Sequence, residues 1–147
     1  MNAKVNVEYF AVPDPTNPDQ ITYWRNGPRG LKPWPPRAHY GPELLRRDLP
    51  EGLHGQACSD WIQTWVRNQL APWHAAIRAA IDTDPHGCAL RFATLTTRCC
   101  CCGRTLTARD SRCYAIGPDC RRGLPPAVLE ALVDAVGRAH ANHLTAS

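Results

Sequence analysis

Cys99 to Cys120 reads CCCCGRTLTARDSRCYAIGPDC, and the organisation of the whole chain follows from this stretch. Cys99 and Cys102 stand in a C-x-x-C-G arrangement with Gly103. Glycine lets the backbone turn its amides toward two sulfurs without a side-chain clash, so such a pair wraps a metal ion from one tight turn. A tetrahedral site needs further donors, and Cys113 and Cys120 lie within a hairpin's reach. The expected ligands are therefore Cys99, Cys102, Cys113 and Cys120, and the expected ion is zinc. Cys100 and Cys101 compete for the register, although neither makes a C-x-x-C pair inside the run. His140 and His143, three residues apart on a C-terminal helical segment, are a competing second pair. Redox chemistry through C-x-x-C usually needs a thioredoxin-like β-α-β context, which the sequence lacks.

The 147 residues suffice for one compact unit. No apolar run approaches the roughly 20 residues that span a bilayer. The opening MNAKVNVEYF lacks the basic-then-apolar pattern of a secretory signal, so a cytoplasmic protein with no membrane partner is expected. Its eight cysteines are then reduced, and most are crowded into one run where neighbours bridge poorly. Only Lys4 and Lys32 of the 17 basic residues are lysine, a usage typical of GC-rich bacteria or a phage growing in one.

The net charge of +4 is localised. Residues 96–123 carry six arginines and two aspartates, while the remainder holds eleven residues of each sign. Zinc with four thiolates adds a net −2, which leaves the module at about +2. Arg104, Arg109, Arg112, Arg121 and Arg122 are the candidate contacts to nucleic acid.

Val5 to Val12 alternates as a strand, PDPTNPDQ forms a turn, Ile21 to Arg25 returns, and Leu31 to Trp34 adds a short third strand. Tyr9, Phe10, Tyr23, Trp24 and Trp34 serve such a small sheet best as its core, with a base-stacking platform as the competing role. Gly41 to Leu49 predicts a short helix with Pro42 at its first position. From Cys58 to Ile81 apolar residues recur at i, i+3 and i+4, predicting one core stripe through Trp61, Trp65 and Trp73, kinked at Pro72. Cys88 to Leu95 reads as a helix leading into the cysteines. Pro125 and Pro126 open a final helix that buries Val128, Leu129, Leu132, Val133 and Val136. The expected class is α+β: a β meander (1–40), a helical core (41–97), and a zinc-ribbon or treble-clef-like module with a C-terminal helix (98–147), in one compact unit.

The stretch resembles a zinc module of uncharacterised actinobacterial and actinophage proteins with the pattern C-x-x-C-G-R-x-L-T-D-x-x-S-x-x-x-G-I-G-P-x-C. Cys99, Cys102, Gly103, Arg104, Leu106, Thr107, Ser111, Ile116, Gly117, Pro118 and Cys120 match it, while Ala108 and Ala115 replace its Asp and Gly. YFAVPDPTNPDQITYWR and WPPRAHYGP also look like the leader of such proteins. The resemblance implies a zinc-binding fold and no particular substrate. Its pattern has three regular cysteines and none at position 113, which leaves the fourth ligand open among Cys113, Cys100, Cys101 and a residue of the helical region.

No nucleophile triad, phosphate-binding glycine loop or H-E-x-x-H motif is present. The expected function is a non-catalytic zinc-binding adaptor or regulator that contacts nucleic acid or a nucleic-acid-handling protein through the basic module. A phage-type protein that docks on a host protein through its aromatic and tryptophan surface is the first alternative. A zinc-dependent nucleic-acid-processing enzyme, which needs an open coordination position, is the second.

Overall fold

In a computed structural model of the chain, residues 5–146 are described, 143–146 by backbone alone. The competing ligand His143 lies outside the described side chains. Strands β1 (Tyr9–Asp14), β2 (Asn17–Gly27) and β3 (Gly30–Pro33) form an antiparallel meander in that order. Val12 faces Thr22 and Phe10 faces Trp24 across β1 and β2. The Asp14 carboxylate closes the first turn by accepting bonds from the Thr16 amide and hydroxyl, both at 2.9 Å.

Helices α1 (Gly55–Trp65), α2 (Ala71–Thr83), α3 (Pro85–Thr96), α4 (Arg109–Tyr114), α5 (Pro118–Arg121) and α6 (Pro126–Ala146) follow. The architecture is α+β, with the cysteine cluster between α3 and α6. Among the described residues no helix is long and apolar enough to cross a membrane.

The core forms where α2 and α3 pack on β1, which is buried at five of its six positions. Phe92 of α3 is wholly buried, with ring centroids of Tyr9 and Trp34 at 5.1 Å and of Tyr23 at 6.1 Å. Tyr9, Phe10 and Trp24 are buried, and Tyr23 and Trp34 are half-buried against the core. These aromatics form the core of a small sheet rather than an open stacking platform.

Polar groups inside this core are paired. The Trp24 indole donates to Thr22 Oγ1 and Thr22 Oγ1 donates to the Val12 carbonyl, each at 2.7 Å. The Trp73 indole donates to Asp14 Oδ1 at 3.0 Å. Burial pushes the Asp14 pKa up, but the bonds from Trp73, Thr16 and Asn17 outweigh it, and the net shift is below the ordinary value of 3.8. A depressed folded-state pKa contributes stability that is present above pH 3.8 and lost as pH falls through the folded value. Asp14→Asn should therefore be less stable than wild type near neutrality by about 1 kcal/mol. Urea titrations at a series of pH values should show that gap closing on acidification; a gap independent of pH would overturn the role of the charge.

Three local expectations need correction. Residues 41–49 hold only a 3-10 turn at Arg46–Asp48 instead of a helix. Gly41 sits at φ +90, and a Cβ there would lie 2.8 Å from the Trp73 ring, so the backbone is bent to let Trp73 into the core. The tryptophan stripe is also not continuous. Trp73, Ile77 and Ile81 are buried, yet α1 has no buried residue, and Trp61, Ile62 and Trp65 stay outside the core. A π-helical turn over Val66–Leu70, where the Ala71 amide reaches back to the Val66 carbonyl, accommodates Pro72 and inserts one extra residue. One residue rotates a helix face by about 100°, which turns the α1 stripe away from the core. In α6 only Val136 of the expected face is fully buried, and Val133 is 41% exposed.

Candidate metal centre

Asp84 starts the approach to the cysteines by accepting the Gly87 amide at 3.0 Å, which caps α3 behind Pro85. The helix ends at Thr97 in the left-handed conformation, φ 54. The chain then reverses in a tight hairpin. The Cys99 amide donates to the Arg104 carbonyl and the Gly103 amide to the Cys99 carbonyl, both at 2.8 Å, beside an Arg98–Thr105 bridge. Gly103 has φ +78, and a Cβ there would sit 2.7 Å from the Tyr9 ring. The glycine thus serves the turn and also lets the hairpin lie against β1. The amides of Glu8 and Tyr9 both donate to the Cys100 carbonyl, at 2.9 and 3.0 Å. Cys100 is fully buried and belongs to the core.

The hairpin and α5 bring the sulfurs of Cys99, Cys102 and Cys120 within 4.8 Å of one another, an arrangement that can hold a metal ion. Cys99 is buried, Cys120 half-buried and Cys102 exposed. All eight cysteines are free thiols. The Cys101 amide points at the Cys99 sulfur from 3.4 Å. A hydrogen bond from the Cys101 thiol is the largest influence on Cys99 and, with the amides of Gly117, Cys102 and Cys101, outweighs burial to bring its pKa down to about 4. The Cys120 thiol is pushed up to about 12, first by burial and then by the Cys99 charge. Ionising all three sulfurs this close together is opposed by their mutual repulsion, and a cation among them removes that penalty.

Cys113 is placed elsewhere. It is exposed on α4, outside the three-sulfur group, and the buried residue of that helix is Ser111. Two residues along a helix correspond to about 200° of rotation, so a helix that buries Ser111 directs Cys113 outward. The sequence expectation assumed a hairpin, in which Cys113 would have been closer. Among the described residues no fourth Cys, His, Asp or Glu joins the group.

The five candidate arginines divide by what they touch. Arg121 donates to Ser111 Oγ and the Ile116 carbonyl, both at 3.1 Å, and lies over the Tyr114 ring. Arg112 donates to the Leu106 carbonyl at 3.1 Å. These two brace α4 and α5 against the hairpin. Arg104 and Arg122 form exposed ion pairs with Asp119 at 3.6 and 3.4 Å, worth little to stability. Arg109 opens α4 and is exposed.

Residues 89–125 match the model of a family of unknown function (DUF6011). The match begins inside α3, contains all three clustered cysteines and ends before α6. No curated protein and no solved structure matches the chain.

Proposed function

We propose that this chain is a non-catalytic zinc-binding adaptor whose metal module presents arginine to nucleic acid or to a nucleic-acid-handling protein. The observation that carries it is the coincidence of the three-sulfur cluster with the excess positive charge of the chain. Zinc binds thiolates at about 2.3 Å, which puts tetrahedral sulfurs about 3.8 Å apart, within the 4.8 Å that encloses the three sulfurs here. Three thiolates add a net −1 with the ion instead of −2, so residues 96–123 retain a charge of about +3. The resemblance to actinobacterial and actinophage zinc modules agrees with three regular cysteines.

Arg104, Arg109 and Arg122 are the contacts to test, since Arg112 and Arg121 also hold the module together. Replacing all three by alanine should weaken binding to a DNA or RNA duplex and reduce the slope of log affinity against log salt by about 2 to 3. Zinc content should not change. An unchanged slope would remove these arginines from the interface. No measurable affinity of the wild type for either nucleic acid would exclude direct contact and leave a protein partner, for which α1, whose tryptophans lie outside the core, is the competing surface. A cavity of about 430 Å³ lined in part by Cys102, Ser111, Asp119 and Cys120 favours one further possibility. A fourth position occupied by water there would suit the enzyme alternative.

A further inference from the structure

A second cavity, of about 610 Å³, lies between the β1–β2 turn, α3 and α6, and none of its lining residues belongs to the cysteine cluster. Its size is in the range of sites that enclose small organic molecules, roughly 300–1,000 Å³. Ile21, Leu90 and Ala139 supply apolar wall, while Arg91, Arg138 and Thr94 supply polar groups.

The polar groups have an unmet demand for an anion. Arg91 is half-buried, donates one bond to the Ala11 carbonyl at 2.8 Å and faces the Cys88 thiol. Among the described residues neither Arg91 nor Arg138 has a carboxylate within ion-pair distance. A half-buried guanidinium without a counter-charge is unfavourable, and its planar fork of five donors matches an oxyanion. Thr94 Oγ1 is, among the described residues, the buried side-chain polar atom that lacks a hydrogen-bond partner. Asp84 lines the same cavity and brings one negative charge to its wall, with its Oδ1 turned to the Gly87 amide at the start of α3, against the two positive charges of Arg91 and Arg138. His86 adds a further nitrogen to the wall.

We infer that this cavity binds a small organic oxyanion, a carboxylate or a phosphate monoester, with its charge between Arg91 and Arg138 and its apolar body against Leu90 and Ile21. The inference is independent of the zinc site and of nucleic-acid binding.

The test is an amide-resolved NMR titration of the full-length, metal-loaded protein with benzoate, phenyl phosphate and the neutral isostere benzyl alcohol. Saturable shifts confined to residues 84–95 and 135–142 are expected with an anion, and benzyl alcohol should bind about tenfold more weakly or less. Preference between benzoate and phenyl phosphate then identifies the headgroup. Arg138→Ala, an exposed position, should weaken anion binding about tenfold while leaving the melting temperature and metal content unchanged. The inference is overturned if neither anion shifts those amides saturably at millimolar concentration, if benzyl alcohol binds as well, or if Arg138→Ala binds the anion like wild type.

Discussion

Cys99→Ser and Cys120→Ser should each lose the bound metal ion and unfold at least residues 98–123, whereas Cys113→Ser should keep full metal content and the wild-type melting temperature. The contrast follows from the sulfur positions: Cys99 and Cys120 belong to the three-sulfur group, and Cys113 is exposed outside it. Structural zinc supplies an apparent folding free energy on the order of 10 kcal/mol, comparable with the entire stability of a domain this size. α4 and α5 are short, and the polar contacts of Arg112 and Arg121 cannot replace that contribution. Damage should reach the sheet as well, because β1 is bonded to the Cys100 carbonyl. Metal analysis, zinc-edge X-ray absorption and melting curves check all of this. Absorption should report at least three sulfurs on the metal, and a fourth position held by water would favour the enzyme alternative. A rigorously metal-free wild type that melts at the temperature of the loaded protein would refute the structural role.

Phe92→Ala should destabilise the metal-loaded protein by about 3–5 kcal/mol. Phe92 is fully enclosed and touches aromatic rings on all three sides of the core: Tyr9 of β1, Tyr23 of β2 and Trp34 beyond β3. Truncation removes the transfer energy of the ring and also leaves a cavity that rigid aromatic neighbours cannot readily fill. Phe92→Leu, which keeps part of the volume, should lose less. Denaturant unfolding followed by tryptophan fluorescence gives both values. A loss below about 1 kcal/mol for the alanine variant would mean that the core collapses around the gap or is held elsewhere.

The meander, the helical middle and the C-terminal helix were legible because each has its own local signal: alternation, turn residues, helical spacing and paired prolines. The boundaries moved where tertiary demands prevailed. α1 carries a convincing apolar stripe, but local periodicity cannot register the π-helical turn that rotates it. Gly41 and Pro42 resemble a helix start, yet the glycine is needed for close approach to Trp73. At the candidate metal centre, the proximity of Cys99, Cys102 and Cys120 could be anticipated from spacing and from the resemblance. Cys113 was drawn in by proximity along the chain, and the available signal against it was that the resembling pattern has no cysteine there. The same pattern has glycine where this chain has Ala115, and Ala115 adopts φ 61, a left-handed conformation that opposes an L-residue by about 1–2 kcal/mol. Arg91 and the cavity it lines gave no sequence signal, since α3 and α6 meet only in the folded molecule.

The carbonyl of Cys100 that receives the amides of Glu8 and Tyr9 also sets a timetable for biosynthesis. A ribosome adding about 5–20 residues per second needs on the order of ten seconds to travel from the first strand to that carbonyl. Throughout that interval the aromatic strand is without its final hydrogen-bond acceptor, and the cysteine hairpin that supplies it has yet to leave the exit tunnel. The amino-terminal strand accordingly completes its bonding only once the last third of the chain has begun to emerge.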